Sequence, residues 1–113
     1  MKRAAIYCRA GGVGKAHQRS LDLQEVSCRA YCEVQEYQIV AIKHELASGA
    51  ELSRPQLWEI EAFARTGEIE IVVIQEASRL SLTPDGVAFW QGQLGRWGAT
   101  VEFVQGRHQA DGD

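Results

Sequence analysis

Three arginines stand in three polar segments of this sequence, and each segment follows an apolar run. Arg9 lies in segment 9–15, Arg54 in segment 48–54 and Arg79 in segment 78–82. A guanidinium is planar, permanently charged and shaped to grip phosphate oxygens in pairs. Three of them converging above one sheet would make an anion site. On spacing alone, three unrelated surface arginines with solvated heads is the plainer reading. Only the elements that carry them can bring them together.

The first of these segments holds a second candidate chemistry. Gly11-Gly12-Val13-Gly14-Lys15 leaves an apolar run, and strand, glycine-rich turn and lysine outline a phosphate-cradling loop. The rest of the pattern is missing. Arg9 stands where the spacing wants glycine, Ala16 stands where a hydroxyl would hold magnesium, and the following helix is expected to start only near Ser20. A later strand ends in Gln75-Glu76, a poor substitute for a metal-directing aspartate. The glycines read as a flexible turn, and no cofactor is expected. No metal site is expected either. Cys28 and Cys32 lie four apart on one helix, but His17, His44 and His108 are scattered, so the thiols read as semi-buried packing.

The elements that must position these groups alternate. The run from Arg3 to Cys8 is a buried strand, ended by Arg9 and the glycines. Cys8 should face away from Tyr7 and Arg9 by strand alternation. Ser20 is the expected cap of a first helix, which should bury Leu23, Val26, Ala30 and Val34 and end near Glu36. A strand over 38–45 follows, then a loop with Ser48-Gly49. Ser53 and Pro55 open a second helix with Leu57, Ile60, Glu61 and Ala64 on one face, flanked by Trp58 and closed by Gly67. Ile71-Val72-Val73-Ile74, within a strand over 69–75, is a β-branched run suited to a central parallel strand. Thr83-Pro84 signals a third helix with Val87, Trp90, Leu94 and Trp97 inward, closed by Gly98. A strand over 100–104 ends the pattern. The order β-α-β-α-β-α-β predicts a three-layer α/β/α domain over residues 1–104 with a mainly parallel four-stranded sheet, and a polar tail over 105–113.

The totals agree with one small globular domain. The chain has 113 residues, 45% hydrophobic and 24% charged, with a formal net charge of -3. That balance argues against a domain that grips nucleic acid alone and non-specifically. No apolar run is long enough to span a membrane. Three cysteines without a disulfide pattern suit a cytoplasmic protein.

Tyr7-Cys8-Arg9, then Ser20-Leu21-Asp22-Leu23-Gln24 and Cys28-Arg29-Ala30-Tyr31, resembles the amino-terminal catalytic domain of the serine site-specific recombinases, the resolvase/invertase family. The likeness continues through Ala47-Ser48-Gly49-Ala50, Ser53-Arg54-Pro55-Gln56-Leu57, Ser78-Arg79-Leu80-Ser81 and Gly98-Ala99-Thr100-Val101-Glu102-Phe103-Val104. The resemblance implies a resolvase-like fold and a role in site-specific DNA recombination. It implies a serine two residues after the first-strand arginine that attacks a DNA phosphate, and arginines that neutralise the charge developing there. Arg9, Arg54 and Arg79 match the arginine positions, Ser48 a loop serine, and Gln24, with Gln18, polar positions at the first helix.

Two departures matter. The nucleophile position is Gly11, and the family's Asp-Arg-Leu-Ser-Arg segment reads Ser78-Arg79-Leu80-Ser81-Leu82. Ser20 and Ser81 are the nearest other hydroxyls, and neither is at the matching position. The expectation is a resolvase-like domain that does not cleave DNA. It would meet DNA with a further domain or an intact recombinase, as a homo- or hetero-oligomer. The family's long helix and DNA-binding domain would follow about where these residues end. The alternatives are a protein-interaction module, to which Trp58, Trp90 and Trp97 could add aromatic surface with at least two of them buried, and a nucleotide binder using residues 11–15.

Overall fold

The computed structural model describes residues 1–48 and 53–106. Its elements are β1 (Arg3–Ala10), α1 (Lys15–Gln35), β2 (Gln38–Leu46), α2 (Pro55–Arg65), β3 (Ile71–Ile74), α3 (Ala77–Leu80), α4 (Pro84–Gly95) and β4 (Thr100–Phe103). The strands form one sheet in the order β2-β1-β3-β4, and every pairing is parallel. The chain steps from β1 to β2 on one side and returns to β3 on the other. The strand order therefore reverses between β1 and β3, which is where ligands collect in open α/β sheets. The expected tail over 105–113 lies, from Arg107 onward, outside the described residues, as do loop residues 49–52.

Strand alternation divides the core in two. Ala5, Tyr7, Val72 and Ile74 pack under α2, α3 and α4 through Leu57, Ile60, Ala64, Leu80 and Leu94. Ala4, Ile6, Cys8, Ile71 and Val73 pack under α1 through Leu21, Cys28 and Cys32. This is the three-layer arrangement expected from the alternation of elements, with Cys8 and Tyr7 on opposite faces. Several local signals also hold. The buried face of α2 is Leu57, Ile60, Glu61 and Ala64. Thr83 caps α4, its hydroxyl accepting from the Gly86 amide at 3.0 Å. Gly67 and Gly98 take the left-handed φ that ends a helix without a Cβ penalty.

The first helix departs from expectation twice. It starts at Lys15, not near Ser20, because Gly14 at φ 112° and ψ 174° turns the chain into it in a conformation open to glycine alone. It is also turned the other way round. Leu21, Gln24, Cys28 and Cys32 are buried, whereas Leu23, Val26 and Val34 are 58%, 64% and 78% exposed and Ala30 is exposed too. Both sets have spacings of three, four and four. They differ by two residues, about 200° around the axis. The more apolar stripe faces solvent because the inner face must supply the amide of Gln24. The aromatic expectation fails too: Trp90 is partly buried, but Trp58 and Trp97 are exposed.

The three thiols are fully buried, more so than expected. Burial pushes Cys8 up to about 12 and Cys32 up to about 11, and it raises Cys28 as well. Thiolate reactivity is suppressed accordingly. In the folded protein at pH 8 the thiols should resist a thiol-disulfide reagent, and all should react on unfolding. Leu21→Ala should cost about 3 kcal/mol in urea unfolding, while Leu23→Gln should stay within about 0.5 kcal/mol. Equal costs would mean that α1 packs by its other face.

Candidate functional site

The carboxyl end of β1 carries the site. Arg9 is 4% exposed, and each nitrogen of its guanidinium donates a hydrogen bond. Nε donates to the Arg79 carbonyl at 2.8 Å, Nη2 to the Ser78 carbonyl at 2.7 Å and Nη1 to the Ala47 carbonyl at 2.8 Å. One side chain thus ties the end of β1 to α3 and to the exit of β2. Arg54, N-cap of α2, is buried as well, with Nη1 donating to the Leu80 carbonyl and lying 3.5 Å from the Tyr7 hydroxyl. The three sequence-marked arginines do converge. Burial first, then the charges of Arg54 and Arg79, lower the pKa of Arg9. It remains a cation at neutral pH.

Arg79 differs from the other two. It lies on α3, is only partly buried, and its Nε is shielded with no hydrogen-bond partner among the described residues. A shielded guanidinium N–H without an acceptor is costly to leave unmet. Ser78, where the family pattern has aspartate, bonds its hydroxyl to Glu76. Leu82 is exposed and adds no charge.

The backbone at Arg9 needs help, because β3 ends at Ile74, opposite Tyr7. Gln24 completes it. The Arg9 amide donates to Gln24 Oε1 at 3.0 Å, and Gln24 Nε2 donates to the Arg9 carbonyl at 3.0 Å. Gln24 Nε2 also donates to Ser20 Oγ at 3.1 Å. The side chain of Gln24 stands in for a neighbouring strand and locks α1 against β1. Gln18 is not part of this set; it is exposed and bonds Asp22. Ser48 directly follows Ala47, whose carbonyl Arg9 holds.

Sequence reasoning did not single out Glu45. It is 4% exposed and pairs with Arg9 in the β1–β2 register. Its carboxylate accepts the Gln56 and Leu57 amides, each at 3.1 Å, at the start of α2, where a negative charge suits the helix dipole. It also accepts the Tyr7 hydroxyl at 3.2 Å. Burial, and then the Glu45 charge, raise the Tyr7 phenol above its ordinary value, so it stays protonated and donates. The signal in the sequence was an acid at the end of an apolar strand, ten residues before a helix-opening proline.

Gly11 is exposed, and a Cβ built on it meets nothing within 4 Å. Its conformation also lies outside the left-handed region, so a side chain fits there without strain. The other hydroxyls are occupied. Ser20 Oγ accepts from Gln24, and Ser81 Oγ packs against Gly86 and lies 3.4 Å from the Thr83 amide. The start of α1 at Lys15 removes one objection to a nucleotide-binding loop. The others stand, since Ala16 has no hydroxyl and Arg9 is buried in its carbonyl contacts.

The fold is a parallel α/β sheet with three arginines gathered at its carboxyl end beside the loop that leaves β1. The model of the resolvase N-terminal domain matches residues 4–112, and the chain belongs to that family. It has the serine recombinase catalytic fold. Its backbone resembles the C-terminal catalytic domain of ISC1926 TnpA, an IS607-like serine recombinase, at TM-score 0.82 and 22% identity over 96% of this chain and 76% of that one. The N-terminal catalytic domain of TP901-1 integrase matches at 0.84 and 20% over 93% and 79%. A resolvase family site-specific recombinase from Streptococcus pneumoniae matches at 0.80 and 15% over 94% and 74%. No curated protein matches.

Gln24→Leu should leave both polar groups of Arg9 unmet and cost about 2–4 kcal/mol in denaturant unfolding. A loss under about 1 kcal/mol would mean that water replaces the amide.

Proposed function

We propose that this resolvase-like domain holds a DNA phosphate at Arg79 without cutting the strand. The reading rests on one observation: an arginine with an unmet, shielded Nε stands beside two buried guanidinium groups at the end of β1, the strand that leads to Gly11. Like charges in a cluster are relieved by a bound anion. The arginine roles divide accordingly. Arg9 and Arg54 hold carbonyls and supply fixed positive charge, while Arg79 makes the contact. Gln24 positions the Arg9 backbone, and Ser48 borders the site. No covalent step is open at Gly11, since there is no side-chain atom to attack phosphorus and no oxygen to form a phosphoester.

The partner in this reading is DNA, met together with another domain or another recombinase subunit. The net charge of -3 is too acidic for unaided, non-specific binding. The partner recombinase would supply cleavage, in a homo- or hetero-oligomer. Among the described residues no helix is long and apolar enough to cross a membrane, and a cytoplasmic place fits the proposed partner.

Inorganic phosphate should raise the Tm saturably, and Arg79→Gln should weaken that response at least fivefold. No response in the native chain would overturn the anion site. Incubation with nicked duplex DNA should give no adduct stable to detergent, and an adduct would overturn the non-cleaving reading. Gly11→Ser should fold within about 0.5 kcal/mol of the native chain.

A further inference from the structure

Helix α1 carries an apolar stripe that no described residue covers. Leu23, Val26 and Val34 are 58%, 64% and 78% exposed, and Ala30 is exposed with them. At about 100° per residue the four fall within about 80° of one another. They lie on the side of the helix away from the sheet, opposite buried Leu21, Gln24, Cys28 and Cys32. A narrow run of exposed branched side chains along a helix of 21 residues has the form of a helix-pairing seam.

The charges beside that stripe follow an order of their own. Along the helix they are Lys15, Arg19 and Asp22, then Arg29, Glu33 and, at the C-cap, Glu36. All six are exposed. Their signs run plus, plus, minus, then plus, minus, minus. The second half is the first read backwards with every sign inverted, and the centre of inversion falls beside Val26. This layout works against the helix on its own. Cations stand toward its amino end and anions toward its carboxyl end, with no acid in the first turn and no base in the last, the reverse of what the macrodipole favours. Among the described residues Lys15, Arg19, Glu33 and Glu36 make no ion pair. Arg29 reaches Glu25 on its own helix, and Asp22 accepts from Gln18.

We infer that α1 is a contact between two copies of this chain, paired antiparallel across a two-fold axis at Val26. A two-fold contact is self-complementary: where residue i meets residue j, j also meets i. Antiparallel pairing about Val26 sets Arg19 opposite Glu33, Lys15 opposite Glu36 and Asp22 opposite Arg29, each of them twice. Leu23 comes opposite Ala30, Val26 meets itself, and Val34 covers the aliphatic stem of Arg19. Parallel pairing would set each charge against its own kind. The apolar stripe supplies the attraction, and the charges choose the direction. At about 1.5 Å per residue α1 is about 32 Å long. One helix pair of that length covers less than the roughly 800 Å2 per partner of a standard interface, so a Kd on the order of 10–100 μM is expected. The surface lies on the opposite layer from the arginine cluster, and it does not depend on the phosphate reading.

The test is sedimentation equilibrium of the full chain between about 1 and 500 μM, where a reversible monomer–dimer equilibrium is expected. Leu23→Gln, which leaves the buried face of α1 untouched, should raise the dissociation constant at least tenfold. Arg19→Glu and Glu33→Arg should each do the same. Both substitutions suit the helix dipole better than the native residues do, so unfolding would not account for the loss. An equimolar mixture of those two variants should associate about as tightly as the native chain, because each then finds the opposite charge at both contacts. A chain that stays monomeric to about 500 μM overturns the proposal and leaves the stripe to a different protein. A dimer indifferent to Leu23→Gln, or a mixture no tighter than its separate variants, overturns it as well.

Discussion

The guanidinium of Arg9 is the point on which the upper end of this domain depends. It is a permanent charge taken almost wholly out of water, and it is tolerated because its donors find backbone carbonyls from two other segments. Those carbonyls have partial negative charge and cannot be neutralised by pH, so the cluster stays assembled across the physiological range. A carboxylate partner would have cancelled the charge. Carbonyls orient the group and leave its net charge in place. The carboxyl end of the sheet is therefore electropositive by construction, although the whole chain is acidic.

Glu45 keeps that charge from spreading. It lies on the far side of Tyr7 from Arg54 along the chain of contacts and is occupied by the α2 amides and the phenol. The sequence of groups Arg54, Tyr7, Glu45 and the α2 N-terminus passes charge from positive to negative and back through hydrogen bonds. The neutral phenol between them separates the cation from the anion. Among the described residues Arg79, at the outer rim, has no such counterweight.

Much of the architecture was legible in residue patterns because local and global preferences agree there. The alternation of elements, the β-branched run of β3, the Thr83-Pro84 opening of α4 and the inner face of α2 each rest on a short-range rule that packing did not override. The convergence of Arg9, Arg54 and Arg79 came from the family likeness rather than from spacing. What spacing misjudged has a common cause. Gln24 and Glu45 are buried polar groups whose partners are backbone atoms distant in sequence, and hydropathy assigns such residues to the surface. The face of α1 was reversed for that reason, and the exposure of Trp97 has a related one. Its indole donates to Glu61 while Arg65 covers its ring, so an amphipathic side chain is stabilised at the rim without entering the core. Short α3 escaped notice because four residues carry no periodicity.

The two faces of α1 carry a further implication for how the chain finds its structure. One helix with two stripes of equal spacing has two ways to lie on the sheet, and oil-like burial alone would choose the wrong one. The paired bonds between Gln24 and the backbone of Arg9 break that tie, since a helix rolled half a turn would leave both groups dry and unmet. Uniqueness here comes from polarity rather than from apolar area. The contact between Gln24 and Arg9 is thus the one that decides which of two equally spaced faces of α1 meets the sheet.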